Sequence, residues 1–170
     1  KATSNILDSL RDKNTADLVT EFAMPVSAEA LKVVTGLENM NSAEMDRVSQ
    51  GMIDGVANYS GNIEIENNCQ NCTASIDYHI DDILPKLKNN PDNSLISVQL
   101  EAGLSIDQLR ANIKLAISGG QNEPRDAIAG TACTLLQYPD QLKRIINQKN
   151  TWLEALEEFG RWMSPIGMSP

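Results

Sequence analysis

The chain has 170 residues, with 14 basic and 23 acidic side chains, and its formal net charge at pH 7 is −9. This charge argues against nucleic acid or an anionic membrane as a partner, and no apolar run is long enough to span a bilayer. The length predicts one domain. Residues 1–5 do not resemble a signal peptide, so we expect a cytoplasmic protein.

The first third of the chain predicts helices. Apolar residues at helical spacing predict a helix over about 1–13. A second helical stretch covers about 16–36. We expect Pro25 to interrupt it, Ser27 to cap its continuation and Gly36 to end it.

Two longer helices are predicted next, over about 42–58 and 68–89, with a polar loop between them at 59–67. Asn41 and Glu44 have the spacing of a capping box at the start of the first of these helices. Apolar residues follow the helical period in both helices and form their predicted buried faces: Met45, Val48, Met52 and Val56, then Ile76, Ile80, Ile83, Leu84 and Leu87.

The second half predicts a short helix over 93–102, a long one over 105–136, a short amphipathic one over 139–148 and a last one over 151–163. Capping-box sequences precede the long helix and the last helix. We therefore predict an all-α protein in which residues 1–170 form a single helical unit.

The long helix contains a sequence that a regular helix should not tolerate. Gly119 and Gly120 are adjacent and Pro124 follows closely. An interior glycine costs about 1 kcal/mol relative to alanine and an interior proline about 3 kcal/mol. We interpret this interruption as space kept for a cofactor, water or substrate.

The last helix contains Glu158 and Arg161, whose i, i+3 spacing places them on one face. Together with the interrupted long helix, this Glu-x-x-Arg sequence resembles the cytochrome P450 family of haem-thiolate monooxygenases. The order of segments is similar to helices D to K of its bacterial, soluble members. The resemblance implies an internal part of a larger haem domain whose N-terminal and cysteine-loop portions are absent from this chain.

The resemblance assigns roles to individual residues. It implies that Ala116, Gly119 and Gly120 approach the haem, and that Asn122 and Glu123 are catalytic. Many family members have an acid followed by threonine at the last two positions. The Asn-Glu-Pro sequence found here is similar to some reductase-fused members, and the Glu123 carboxyl could replace the missing alcohol as proton donor. The alternative is that this carboxyl is merely solvated.

Glu158 and Arg161 match the family's structural pair, which is buried; an exposed ion pair is the alternative. The resemblance further implies haem b and hydroxylation of small apolar substrates with dioxygen and electrons from NAD(P)H. The electrons would arrive through a ferredoxin and reductase or a fused reductase domain. We expect this chain alone to be inactive, without a thiolate ligand to haem, and able to self-associate through exposed apolar surface.

Two other readings stay open. One is a non-enzymatic helical interaction domain. The other is a small redox protein that uses Cys69 and Cys72, although two reduced thiols on a helix are the simpler expectation. The methionines of the 42–58 helix could touch substrate but are more often plain core. The adjacent Arg125 and Asp126 are not expected to face each other.

Overall fold

The computed structural model describes residues 2–163. Within this range the chain is helical and has no β-strand, so the all-α prediction is confirmed. The helices are α1 (Ala2–Leu10), α2 (Met24–Thr35), α3 (Ser42–Val56), α4 (Ile63–Asn89), α5 (Leu95–Glu101), α6 (Ile106–Gly120), α7 (Asn122–Gln137), α8 (Pro139–Ile146) and α9 (Trp152–Trp162), and a π-helical turn at Leu18–Ala23 precedes α2.

The helices pack as two compact units. Residues 27–121 form what we call the central unit, and the segments on either side of it, 2–26 and 122–163, form the flanking unit. None of the helices in the part of the chain that the structure describes is long and apolar enough to cross a membrane.

The central unit is built around α4. Its predicted apolar face is buried throughout, which confirms that part of the prediction. Helices α3, α5 and α6 pack against it. The core consists of aliphatic and sulfur-containing side chains, including Leu37, Met40, Met45, Val48, Met52, Ile76, Ile80, Ile96, Leu109, Ile113 and Ile117. Both predicted methionines of α3 are therefore core residues.

Local signals fix the ends of several helices. Gly36 and Gly103 follow α2 and α5 with φ of 92° and 73°, a backbone conformation that favours glycine. The predicted capping boxes at Ser105 and Thr151 are present, with both reciprocal hydrogen bonds. At α3 only half of the predicted box forms: Asn41 caps the helix, but the Glu44 carboxylate bonds Arg47 and Ser75 instead.

In the flanking unit, α7 packs against the π-helical turn, α8 and α9. Leu135, Ile145 and Phe159 are buried there, whereas α1 has no buried residue. Gly130 of α7 lies directly against the ring of Phe159, so the absence of a side chain allows α7 and α9 to approach closely.

Several boundaries differ from the prediction. Helix α4 begins at Ile63, because Asn62 caps it within the segment predicted as a loop. Val56 was predicted to face inward, but it is 78% exposed because it lies in the last turn of α3.

Pro25 does not interrupt the second helix. The π-helical turn runs directly into α2, and the Met24 N–H already bonds the Val19 carbonyl. Pro25 therefore lies in the first turn of α2, where a missing N–H costs little. Ser27 lies inside α2 and is buried, so it is not the predicted cap.

Candidate functional site

The long helix of the prediction is two helices in the structure. Helix α6 ends at Gly120, Gln121 follows with φ −94° and ψ −46°, and α7 begins at Asn122. This places Pro124 in the first turn of α7, where no intrahelical N–H bond is lost. The helix interruption expected from the sequence is therefore present, and it lies between Gly120 and Asn122.

Gln121 is 2% exposed and is held by other helices of the central unit. The Ser27 hydroxyl of α2 donates to its backbone carbonyl at 2.6 Å. Its side-chain amide donates to the Asp46 carboxylate of α3, and its own amide oxygen is buried without a hydrogen-bond partner. One turn earlier, the Ser49 hydroxyl donates to the Ile117 carbonyl at 3.3 Å.

The two adjacent glycines have different surroundings. A Cβ atom at Gly120 would lie 3.0 Å from Leu31 Cδ1, so this glycine allows close helix packing. A Cβ atom at Gly119 would meet nothing within 4 Å. Gly119 and Leu115, which is 71% exposed, lie on the exposed side of α6, and Ala116 is partly buried. This side could receive a flat apolar group.

Glu123 and Asn122 open α7 and differ in their hydrogen bonding. The Oε2 atom of Glu123 is buried and has no hydrogen-bond partner. The side-chain oxygen of Asn122 accepts a hydrogen bond from Arg125 at 2.8 Å. Arg125 also pairs with Asp126 at 2.7 and 3.1 Å, so the expectation that these neighbours do not face each other was wrong; the long arginine side chain folds back onto the carboxylate.

Glu158 and Arg161 form a bidentate ion pair on α9, with both contacts at 2.6 Å. The guanidinium of Arg161 lowers the pKa of the Glu158 carboxyl. Both side chains are more than 60% exposed, whereas the resemblance implies a buried pair. They line an open cleft of 540 Å³ between α7, α8 and α9, beside Thr131, Tyr138, Arg144 and Trp162.

None of the three cysteines lines the cleft at Glu158 and Arg161. Cys69 and Cys72 of α4 contact Gly55 and Gly51 of α3, so their sulfur atoms fill space between two helices. Burial raises the pKa of the Cys72 thiol, which disfavours the thiolate that would bind iron. Cys133 is exposed on α7. Residues 2–163 contain no cluster of three or more side chains suited to a metal ion.

The end of α6 has room for a flat cofactor such as haem, because a Cβ atom at Gly119 would meet nothing within 4 Å. The buried Cys72 and its neighbour Cys69 do not fit the role of an iron-bound thiolate.

Sequence reasoning missed Gln121 and its partners. The glycines, the proline and the glutamate on either side are unusual in a helix, whereas Gln121 itself belongs to no motif that predicts a role. Asp46 precedes it by 75 residues, a separation over which periodicity carries no information. Ser27 was identified as a polar residue with a role, but the role predicted was local capping.

No family model matches the chain. It is similar to cytochrome P450 107B1 of Saccharopolyspora erythraea, with 26% identity over 96% of this chain and 40% of the relative. It is also similar to a cytochrome P450 of Priestia megaterium at 24% identity and to the vitamin D(3) 25-hydroxylase of Pseudonocardia autotrophica at 22%, covering 96% and 97% of this chain and 40% of each relative. The chain thus spans about 40% of the length of these relatives.

Solved structures agree on the fold. A crystal structure of P450BioI, in complex with an acyl carrier protein ligated to hexadec-9Z-enoic acid, matches with a TM-score of 0.81 at 18% identity, over 96% of this chain and 43% of that one. The structure of CYP154A1 from Streptomyces coelicolor matches with a TM-score of 0.67 at 23% identity, over 94% and 40%. The resemblance to bacterial cytochromes P450 is confirmed, and the fold is the helical core of that family.

Proposed function

We propose that this chain is the central helical portion of a haem-thiolate monooxygenase. The observation that carries the proposal is the interruption at Gln121 in a chain that is similar to bacterial cytochromes P450 over nearly all of its length. The relatives extend well beyond the matched part. The activity is therefore proposed for the whole protein containing this segment, and we expect the segment alone to be inactive.

When bound, haem b would supply the binding and reductive activation of dioxygen. In this proposal Gly119 and Ala116 allow the haem to come close to α6, since neither carries a side chain larger than a methyl group. Gly120 serves a different purpose, because its missing side chain accommodates Leu31. The thiolate would come from a part of the whole protein beyond this chain.

Glu123 is the proposed proton donor. Its Oε2 atom is buried and unpaired, and a carboxyl in that state can hold a proton or a water molecule and transfer it. Asn122 is the proposed neighbour that helps to orient polar groups, and its bond to Arg125 would fix its side chain. Glu158 and Arg161 keep the proposed structural role, with burial to be supplied by the rest of the protein.

The proposed substrate is a small apolar molecule, and electrons would come from NAD(P)H through a ferredoxin and reductase or a fused reductase domain. The proposed location is the cytoplasm. The interaction-domain alternative is not favoured, because the interruption at Gln121 and the Glu-x-x-Arg pair would then be coincidental.

The test replaces Glu123 by glutamine in the whole protein and measures product formed per NAD(P)H oxidised. Removing a positioned general acid typically lowers the rate by 10²–10⁴, and we expect at least a tenfold fall in product yield with substrate affinity changed less than twofold. Glu157→Gln is the matched control, since Glu157 is exposed on α9. Equal yields from the native protein and the Glu123 variant would remove Glu123 from the mechanism.

A further inference from the structure

Gln121 connects the end of α6 to two other helices of the central unit. Its backbone carbonyl accepts the Ser27 hydroxyl of α2, and its side chain donates to Asp46 of α3. The last carbonyls of any α-helix lack intrahelical partners. The hydroxyl of Ser49 bonds one of them, on Ile117. Through Gln121, the end of α6 is bonded to both α2 and α3.

The side chain of Gln121 is more than a filler of space. A buried amide oxygen without a partner carries a desolvation cost, and the Oε1 atom of Gln121 is in that state. An apolar side chain of the same length would avoid this cost. What the amide provides is its charge-assisted hydrogen bond to the Asp46 carboxylate, a bond stronger than one between neutral groups.

We propose that Gln121 is a positioning residue, which acts through Asp46 to hold the last turn of α6, including Gly119, at a position set by α3. This inference rests on the proposed monooxygenase function, because only then does the position of Gly119 affect a reaction. Asp46 is next to Met45, which is fully buried in the core, so α3 gives the bond a rigid anchor. If α3 moved, this bond would move the last turn of α6 with it.

The test uses the whole protein with four single variants and one double variant. Gln121→Met keeps the length of the side chain and removes the donor. Asp46→Ala removes the acceptor, whereas Asp46→Asn retains an oxygen that can accept the bond. Ser49→Ala is the matched control, because it removes a different hydrogen bond between the same two helices. Two quantities are measured: amide hydrogen exchange across residues 117–121, and product formed per NAD(P)H oxidised.

We expect Gln121→Met and Asp46→Ala each to speed exchange at least tenfold and to lower product yield at least threefold. The double variant, Gln121→Met with Asp46→Ala, should lose no more than the more affected single variant, since either change alone already removes the bond that the two residues share. Asp46→Asn keeps an acceptor but loses the charge, so it should lie between the native protein and Asp46→Ala in both measurements. Ser49→Ala should stay within twofold of the native protein in yield. If the Gln121→Met variant does not fold, Asp46→Ala still tests the bond, because Asp46 is only half-buried.

Three results would overturn the inference: unchanged exchange in Gln121→Met, equal yield losses in Ser49→Ala and Gln121→Met, or additive losses in the double variant. The exchange measurement does not depend on haem. If the whole protein binds no haem, the proposed function fails, and the expected effect of Gln121 on product yield fails with it. The exchange rates would then still show whether the bond to Asp46 holds the end of α6.

Discussion

Replacing Gly119 by alanine separates helix stability from the proposed contact with haem. Gly119 lies in the last turn of α6, and a Cβ atom there would meet nothing within 4 Å. Alanine is about 1 kcal/mol more favourable than glycine inside a helix. Because the position is near the helix end, we expect the 170-residue chain to gain roughly 0.5–1 kcal/mol of unfolding free energy.

The matched control is Gly120→Ala. Its new Cβ would lie 3.0 Å from Leu31 Cδ1, so the leucine end must move by a few tenths of an ångström. We expect the helical gain and the packing cost to offset each other to within about 0.5 kcal/mol. Urea denaturation of both variants beside the native chain measures these differences.

In the whole protein Gly119→Ala should have a second effect. The methyl group would point to the side of α6 where the proposal puts the haem, and we expect the affinity of the reduced protein for carbon monoxide to fall at least threefold. A loss of chain stability greater than 0.5 kcal/mol would refute the open environment of Gly119. A gain in stability with unchanged carbon monoxide affinity would refute its approach to haem.

Three further predictions concern the chain itself. Gly130→Ala should destabilise the chain by about 1–3 kcal/mol, because the new methyl group meets the Phe159 ring. Gly160→Ala is the control and should not destabilise it, because a Cβ atom there would lie in open space. Equal losses of stability for the two variants in urea denaturation would contradict this packing. The Arg47 guanidinium lowers the pKa of Glu44 to about 2. The stability that Glu44 contributes is therefore present above pH 4.5 and lost as pH falls towards 2. Glu44→Gln should cost roughly 1–2 kcal/mol of unfolding free energy at pH 7, allowing for the partial exposure of Arg47, and much less near pH 2. A cost that does not change with pH would contradict the ion pair. Light scattering at high protein concentration should detect self-association of the 170-residue chain, and a monomer would contradict that expectation.

Periodicity and capping rules predicted those parts of the fold that local sequence determines. The buried face of α4 and the capping boxes at Ser105 and Thr151 are of this kind. Pro25 and Ser27 were misread because a π-helical turn and a distant carbonyl decide their roles. The carbonyl that Ser27 bonds lies 94 residues away, on Gln121, and local signals cannot encode such a partner.

In the candidate site, too, the sequence predicted what local residues determine and not what distant residues determine. The sequence alone indicated an interruption near Gly119 and Gly120, because consecutive glycines and a proline are costly in any helix. It did not distinguish the packing role of Gly120 from the open position of Gly119, since that difference depends on Leu31. The bond from Gln121 to Asp46 depends on how α3 and α6 pack, which only the folded chain determines.

The most direct test of the central claim is the absorption spectrum of the whole protein containing this segment, reduced and saturated with carbon monoxide. We predict a red-shifted Soret band of the kind that a thiolate-ligated haem gives. A well-folded protein with no haem band, or with a band of a haem lacking a thiolate ligand, would contradict the proposed monooxygenase.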